Sequence, residues 1–128
     1  MKNLKFRMWD YENSTFEHNL SISDCSCDGN VEYQSFTGFH DSKNKEIYEG
    51  DIVRWEEYQG REDGRTLEGI YVVLWDEGRG QWMLRDPYVG DTYEMYDTKY
   101  DCVIGNILEN KALLPCEGGI QSYQTNDC

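Results

Sequence analysis

Short segments in which apolar and polar residues alternate, separated by turn-forming residues, run through most of the chain. Residues 4–9 show this pattern first, and a period of two is typical of a β-strand with one buried face. The face that we expect to be buried carries Leu4, Phe6 and Met8, and the opposite face carries Lys5 and Arg7. No long stretch repeats its apolar residues at the helical period. The chain is therefore predicted to be mainly β, as a small antiparallel barrel or sandwich.

Turn signals and apolar runs position the individual elements. Residues 10–14 predict a turn that closes an N-terminal hairpin, and the β-prone run Ile70–Trp75 predicts a central strand. In the last predicted strand, over residues 102–109, Gly105 indicates a bulge or a close backbone approach. Residues 110–114 are expected to form a short helical turn.

Length and composition indicate how the chain is organised. A core can form without disulfides or metal at 128 residues, and we expect one domain over residues 1–114. Residues 115–128 carry few apolar side chains and are predicted to be a flexible C-terminal tail. The five cysteines are expected to be reduced, because their number is odd and the N-terminus does not look like an export signal.

The chain is strongly acidic, with 25 Asp and Glu against 12 Lys and Arg and a formal net charge of -13. A protein that binds nucleic acid through phosphates needs a basic stripe, and an anionic membrane surface likewise attracts basic proteins. The longest apolar run, Ile70–Trp75, is far shorter than the roughly 20 residues that span a bilayer. We therefore favour neither direct nucleic-acid binding nor membrane binding, and we expect a cytoplasmic protein.

Catalytic and metal-binding motifs are weak in this sequence. His18 and His40 have no nucleophile motif beside them, and the Cys25 and Cys27 pair has no further ligands at zinc-site spacing. Pairs of carboxylates occur by chance in so acidic a chain, and no phosphate-binding glycine loop is present. We therefore expect no enzyme activity, no cofactor and no bound metal.

Three segments in order resemble the signature of the YopX family of phage and prophage proteins. The first is LKFRMWD at residues 4–10, the second is FTGFHDSKNKEIYEGDIV at 36–53, and the third is VIGNILENKALL at 103–114. A VVLWD strand at 72–76 also fits. The resemblance implies a phage-encoded, mostly β protein with an SH3-like barrel in its central part. It implies no established activity.

The central signature predicts architecture more than chemistry. Gly38 and Gly50 permit a positive φ or a tight backbone approach, and the carboxylate of Asp51 can cap the turn that it follows. The residues expected to fill the core here are Ile47, Tyr48, Ile52 and Val53. The aromatic residues expected to pack in the core are Phe6, Trp55, Tyr71, Trp75 and Trp82.

The segment from residue 86 to 101 combines tyrosines with carboxylates and contains five acids and one base. Such a composition is typical of an interface that contacts a basic partner, because interfaces are enriched in tyrosine. The residues predicted to bind a partner are Asp86, Tyr88, Asp91, Tyr93, Glu94, Tyr96, Asp97, Tyr100 and Asp101. No catalytic or metal-binding residue is proposed, and the oligomeric state is left open.

Three functions remain open. The first is a phage accessory protein that binds a host protein, as an acidic mimic of nucleic acid inhibiting a defence nuclease such as a CRISPR or restriction effector. Its location would be the cytoplasm of an infected or lysogenic bacterium. The second is a small-barrel nucleic-acid-binding module of phage replication or gene regulation, with a basic patch from Lys2, Lys5, Arg7, Lys43 and Lys45. The third is a small metal-dependent enzyme, which a convergent pocket of carboxylates and histidine would favour.

Overall fold

A computed structural model describes residues 4–26, 29–58 and 66–115, which contain nine β-strands and two 3-10 helices. The strands are β1 (Phe6–Asp10), β2 (Thr15–Leu20), β3 (Val31–His40), β4 (Glu46–Tyr48), β5 (Asp51–Tyr58), β6 (Thr66–Asp76), β7 (Gln81–Arg85), β8 (Thr92–Glu94) and β9 (Asp101–Asn106). The 3-10 helices are Ile22–Asp24 and Lys111–Leu113. The prediction of a mainly β chain with short helical turns is confirmed. All of the predicted tail except its first residue lies outside the described residues.

The first sheet contains four antiparallel strands in the order β2-β1-β3-β4. Its β1–β2 hairpin closes where Asp10 pairs with Thr15. Oδ1 of Asp10 accepts hydrogen bonds from the backbone N–H groups of Glu12 at 2.9 Å and Asn13 at 3.2 Å, which holds the turn. The predicted N-terminal hairpin is thus confirmed.

The second sheet contains five antiparallel strands in the order β8-β7-β6-β5-β9. Strands β5 to β8 form a meander, and β9 returns to pair with β5, which is the arrangement of an SH3-like half-barrel. The register passes from Ile52 opposite Gly105 to Val53 opposite Val103, so one extra residue of β9 forms a bulge. The expectation of a bulge at Gly105 is confirmed.

The hydrophobic core lies on the inner face of the curled second sheet and against β4. Its fully buried cluster consists of Ile47, Val53, Val73 and Met95, and Tyr71 and Trp82 pack against it. Tyr48 and Ile52 are also buried, so all four core residues expected in the central signature are confirmed.

A buried ion pair joins the two sheets. Nη2 of Arg7 on β1 lies 2.5 Å from Oδ1 of Asp51 on β5. Two amide side chains complete the network: Nε of Arg7 donates to Oε1 of Gln34 at 2.9 Å, and Nδ2 of Asn106 donates to the same oxygen at 3.1 Å. Oδ2 of Asp51 accepts the backbone N–H of Tyr48 at 2.7 Å, which confirms the predicted turn cap. Burial raises the pKa of Asp51, and the Arg7 guanidinium opposes that rise.

The face of β1 that is buried differs from the prediction. Arg7 and Trp9 are buried, whereas Phe6 and Met8 are half-buried and Leu4 is exposed. The charged residue was assigned to the solvent face because alternation alone cannot show that its carboxylate partner lies 44 residues away. Once paired and hydrogen-bonded, an arginine can occupy a core position.

The aromatic residues predicted to lie in the core differ in how far they are buried. Phe6 and Trp55 are half-buried, but Trp75 has 42% of its surface exposed. Trp75 is the last residue but one of β6, where the face that it shares with Val73 is incompletely covered. It contacts Trp82 edge to face, with ring centroids 5.0 Å apart. Its assignment to the core was therefore wrong.

Gly50 connects β4 of the first sheet to β5 of the second. Its φ is +84°, and a Cβ atom there would lie 2.4 Å from Nε2 of Gln34, a member of the buried network. Its backbone N–H donates to the carbonyl of Val73 at 2.8 Å, and its own carbonyl accepts the N–H of Ile107 at 2.9 Å. Both the positive φ and the tight approach predicted for this glycine are confirmed.

Removing the cation of the buried pair should destabilise the fold strongly. We expect Arg7→Ala to lower the free energy of unfolding by about 3–5 kcal/mol, because it leaves the Asp51 carboxylate buried without a counter-charge. The measurement is urea unfolding followed by tryptophan fluorescence. The control is Arg79→Ala, which removes an exposed pair 3.8 Å from Asp76 and should cost less than about 1 kcal/mol. Equal losses in the two variants would contradict the role assigned to the pair.

A comparison of Gly38 with Gly50 separates the cost of a positive φ from the cost of steric crowding at Cβ. Gly38 also has a positive φ, of +90°, but a Cβ there would meet nothing within 4 Å. Gly38→Ala should therefore cost only the backbone term, about 1–2 kcal/mol. Gly50→Ala should cost clearly more, because Gln34 must also move. Thermal unfolding of both variants measures the difference, and similar midpoints would show that the approach to Gln34 is not limiting.

Candidate partner-binding surface

The acidic tyrosine segment, defined as residues 86–101, begins with a tight turn and an edge strand. Oδ1 of Asp86 accepts the backbone N–H groups of Tyr88 at 2.8 Å and Val89 at 3.3 Å, and Gly90 has a φ of +85°. Strand β8 then pairs with β7, and all three of its side chains are exposed. The sequence did not reveal β8, because the strand is very short and is held by pairing with β7.

The second half of the segment crosses the open end of the half-barrel and is anchored at several points. Met95 is buried in the core, and its N–H donates to the carbonyl of Trp82 at 3.2 Å. Oγ1 of Thr98 donates to the carbonyl of His40 at 2.5 Å. The carbonyl of Tyr100 accepts the N–H of Glu56 at 3.2 Å. These contacts fix the positions of the side chains between them.

Exposure separates the nine predicted residues into three groups. Asp91, Glu94 and Asp97 are exposed, as are the four tyrosines, with Tyr96 the most exposed at 75%. Asp86 is half-buried in the turn that it caps. Asp101 is only 1% exposed and therefore does not belong to the outer surface on which it was expected. Its position as the first residue of β9, opposite Trp55 of β5, places it inside.

The predicted residues lie on two different faces of the second sheet. Asp86 and Tyr88 line a groove with Arg54, Ile70 and Ile104. Those three strand residues alternate with the inward-pointing ones, so this groove lies on the outer face of the sheet. A second group of the predicted residues meets on the inner side, at the mouth of a cavity of about 490 Å³: Tyr93, Glu94, Tyr96, Asp97, Tyr100 and Asp101. Trp55 and Tyr71, which the sequence indicated only as core residues, also line this cavity.

Two buried carboxylates beside this cavity have opposite environments. Asp41 accepts backbone N–H bonds from Lys43, Lys45 and Val103, which together outweigh burial and lower its pKa. Oδ1 of Asp101 has no hydrogen-bond partner among the residues that the structure describes. Burial, with added repulsion from Asp97 and Asp41, raises the pKa of Asp101 to about 6. Backbone donors thus satisfy the carboxylate of Asp41, whereas Oδ1 of Asp101 lacks a donor within the described part of the chain.

The basic patch considered for nucleic-acid binding is reduced by its contacts. Arg7 is buried against Asp51, and Nζ of Lys5 pairs with Glu46 and lies 4.8 Å from the Phe36 ring centroid. Lys43 and Lys45 are exposed, and Lys2 lies outside the described residues. Arg7 and Lys5 are therefore occupied within the protein.

The histidines and cysteines that the structure describes, His18, His40, Cys25 and Cys102, show no convergent arrangement. His18 lies between the rings of Phe16 and Tyr48, at 5.9 and 6.0 Å, and His40 packs on Phe36 at 5.5 Å. Cys25 and Cys102 are free, half-buried thiols. Within residues 4–26, 29–58 and 66–115, no group of three or more His, Cys, Asp or Glu side chains could hold a metal ion. In the same ranges, no helix is long and apolar enough to cross a membrane.

The raised pKa of Asp101 gives a pH-dependent prediction. The folded state binds this proton more tightly than the unfolded chain, so the ionised carboxylate costs stability as pH rises from about 4 through about 6. Asp101→Asn removes that cost and should stabilise the protein by about 1–3 kcal/mol at neutral pH. The gain should shrink towards pH 4.

Urea unfolding of both proteins across this pH range measures the difference. A gain that stays constant with pH would show that Asp101 does not titrate in the folded protein between these limits.

Comparisons with known proteins bear on the fold and the family. The crystal structure of protein EF1440 from Enterococcus faecalis is similar, with a TM-score of 0.55 and 21% sequence identity, and the match covers 87% of this chain and 97% of that chain. At this identity the likeness shows the fold alone. No curated protein matches the chain. The family model described as YopX protein matches residues 2–115, and the chain therefore belongs to the YopX family.

Proposed function

We propose that this chain is a phage-type accessory protein that binds a host protein with a basic surface and catalyses no reaction. Family membership supports the accessory role. The observation that carries the binding role is the exposure of four tyrosines together with Asp91, Glu94 and Asp97 in one anchored segment. Tyrosine supplies large contact area at low entropic cost, and carboxylates attract a basic surface.

The charge balance of the acidic tyrosine segment supports a basic partner. Its one base, Lys99, already lies 3.8 Å from Asp97, so the segment contributes negative charge almost without compensation. Across the whole chain the net charge is -13. Such a field speeds the approach of a positively charged protein and weakens with added salt.

The partner class that we propose is a nuclease of host defence, such as a CRISPR or restriction effector. The channel of such an enzyme is built to attract phosphates, so an acidic protein can occupy it as a mimic of nucleic acid. The site of action would be the cytoplasm of an infected or lysogenic bacterium. The alternative, direct nucleic-acid binding, has less support, because Arg7 and Lys5 are engaged in internal ion pairs.

Charge reversal tests whether the acidic tyrosine segment is the interface. The test variant is Asp91→Lys, Glu94→Lys and Asp97→Lys, which leaves the turn cap Asp86 and the buried Asp101 intact. The control variant is Glu12→Lys, Glu17→Lys and Glu77→Lys, three exposed acids elsewhere that give the same change in net charge. Tagged proteins are used to capture partners from host lysate at low and high salt, and captured nucleases are assayed for inhibition.

We expect the wild type to capture and inhibit a basic nuclease at low salt. The test variant should bind at least about tenfold more weakly, because lysine would face a basic surface, while the control keeps most of its affinity. Equal weakening of both variants would contradict the interface. Capture of no host protein at either salt would contradict the binding role itself.

A further inference from the structure

The cavity beneath the acidic tyrosine segment has aromatic walls. Trp55 of β5 pairs with Gly69 of β6, and Tyr71 lies two residues further along the same face. A Cβ on Gly69 would lie 2.7 Å from Oη of Tyr71, so the glycine makes room for that ring. Tyr71 meets Tyr93 edge to face at 5.7 Å. Tyr96 and Tyr100 line the same cavity from the crossing segment.

Carboxylates supply the charged groups of this cavity, and no cation occurs among the described residues that line it. Glu94 and Asp97 are exposed at its mouth, and Asp101 is buried in its lining, where its Oδ1 has no partner within the described part of the chain. Burying a carboxylate oxygen without a hydrogen-bond donor costs folding free energy. The neighbouring carboxylate of Asp41 accepts three backbone N–H bonds, so this fold can supply such donors. The negative charge of Asp101 in the lining favours a cationic ligand.

Two lining residues, Asp97 and Tyr100, also contact a cation outside the cavity, in a groove that includes Arg54 and Ile104 on the outer face of the sheet. Nζ of Lys99 lies 3.8 Å from Oδ2 of Asp97 and 5.1 Å from the centroid of the Tyr100 ring. Aromatic faces and a carboxylate are the two features that attract organic cations. A hydrated metal ion would find few oxygen ligands among these rings, and an anion would be repelled by the three acids.

We propose that this cavity binds the guanidinium group of an arginine side chain from the partner protein. Guanidinium is planar and weakly hydrated, stacks on aromatic rings, and carries several N–H donors as well as a positive charge for the carboxylates of Glu94, Asp97 and Asp101 in the lining. Lysine has the charge but neither the planar stacking face nor the fork of donors. This inference rests on the proposed function, because it takes the partner to be a basic protein.

The first test needs no partner and uses the full-length protein. N-acetyl-arginine amide is titrated into labelled protein and followed by NMR, with N-acetyl-citrulline amide as the neutral isostere and N-acetyl-lysine amide as the second cation. We expect saturable shifts at Trp55, Tyr71, Tyr93 and Asp101 with the arginine derivative and weaker ones with lysine. Shifts of equal size with citrulline, or none with arginine, would overturn the proposal.

Substitutions locate the site. Asp101→Asn removes the charge while keeping the shape, and Tyr96→Ala removes an exposed wall; each should weaken arginine binding by about tenfold or more. Glu77→Gln and Tyr11→Ala alter an exposed acid and an exposed tyrosine elsewhere and should leave it unchanged. Undiminished binding by Asp101→Asn would overturn the role of the buried carboxylate.

Partner capture separates this inference from the proposed function. If Asp101→Asn also weakens capture of the partner, the cavity holds a partner side chain. If the isolated protein binds the arginine derivative but Asp101→Asn captures the partner as well as wild type, the assignment to a partner arginine is overturned while the broader interface stands. The NMR result remains readable even if no partner is captured at all.

Discussion

The buried pair of Arg7 and Asp51 is the contact on which the relation of the two sheets depends. It links the first strand of one sheet to the first strand of the other. A buried ion pair adds little net stability relative to apolar residues of the same size, but it is costly to break. Its effect is therefore to select one register: a shift of β1 by one residue would leave Asp51 facing an apolar side chain.

Contacts between the two sheets also position the candidate binding surface. Strand β3 of the first sheet ends at His40, whose carbonyl accepts a hydrogen bond from Oγ1 of Thr98. In the turn that follows, Oδ2 of Asp41 accepts the N–H of Val103, and the N–H of Ser42 donates to the carbonyl of Asp101. The segment that crosses the half-barrel is thus held by both sheets.

Local signals in the sequence were sufficient for the elements but not for their pairing. The hairpin turn, the cap at Asp51 and the bulge at Gly105 follow from residue types at fixed local spacing, and the structure has all three. The buried face of β1 was wrong because it depends on a partner 44 residues away. Asp101 was placed on the surface for a similar reason: only the pairing of β9 with β5 puts it opposite Trp55. The cavity depends on the registers of five strands and a crossing segment, which no local pattern encodes.

Strand β8 is the outermost strand of its described sheet, so one side of its backbone has no neighbouring strand there. Exposed edges of this kind invite a second copy of the chain to add by hydrogen bonding, and charged side chains along the edge oppose that. Glu94 within the strand and Asp91 just before it carry such charge. These acidic side chains therefore oppose pairing of β8 with the same strand of a second copy, and neutralising them should promote self-association.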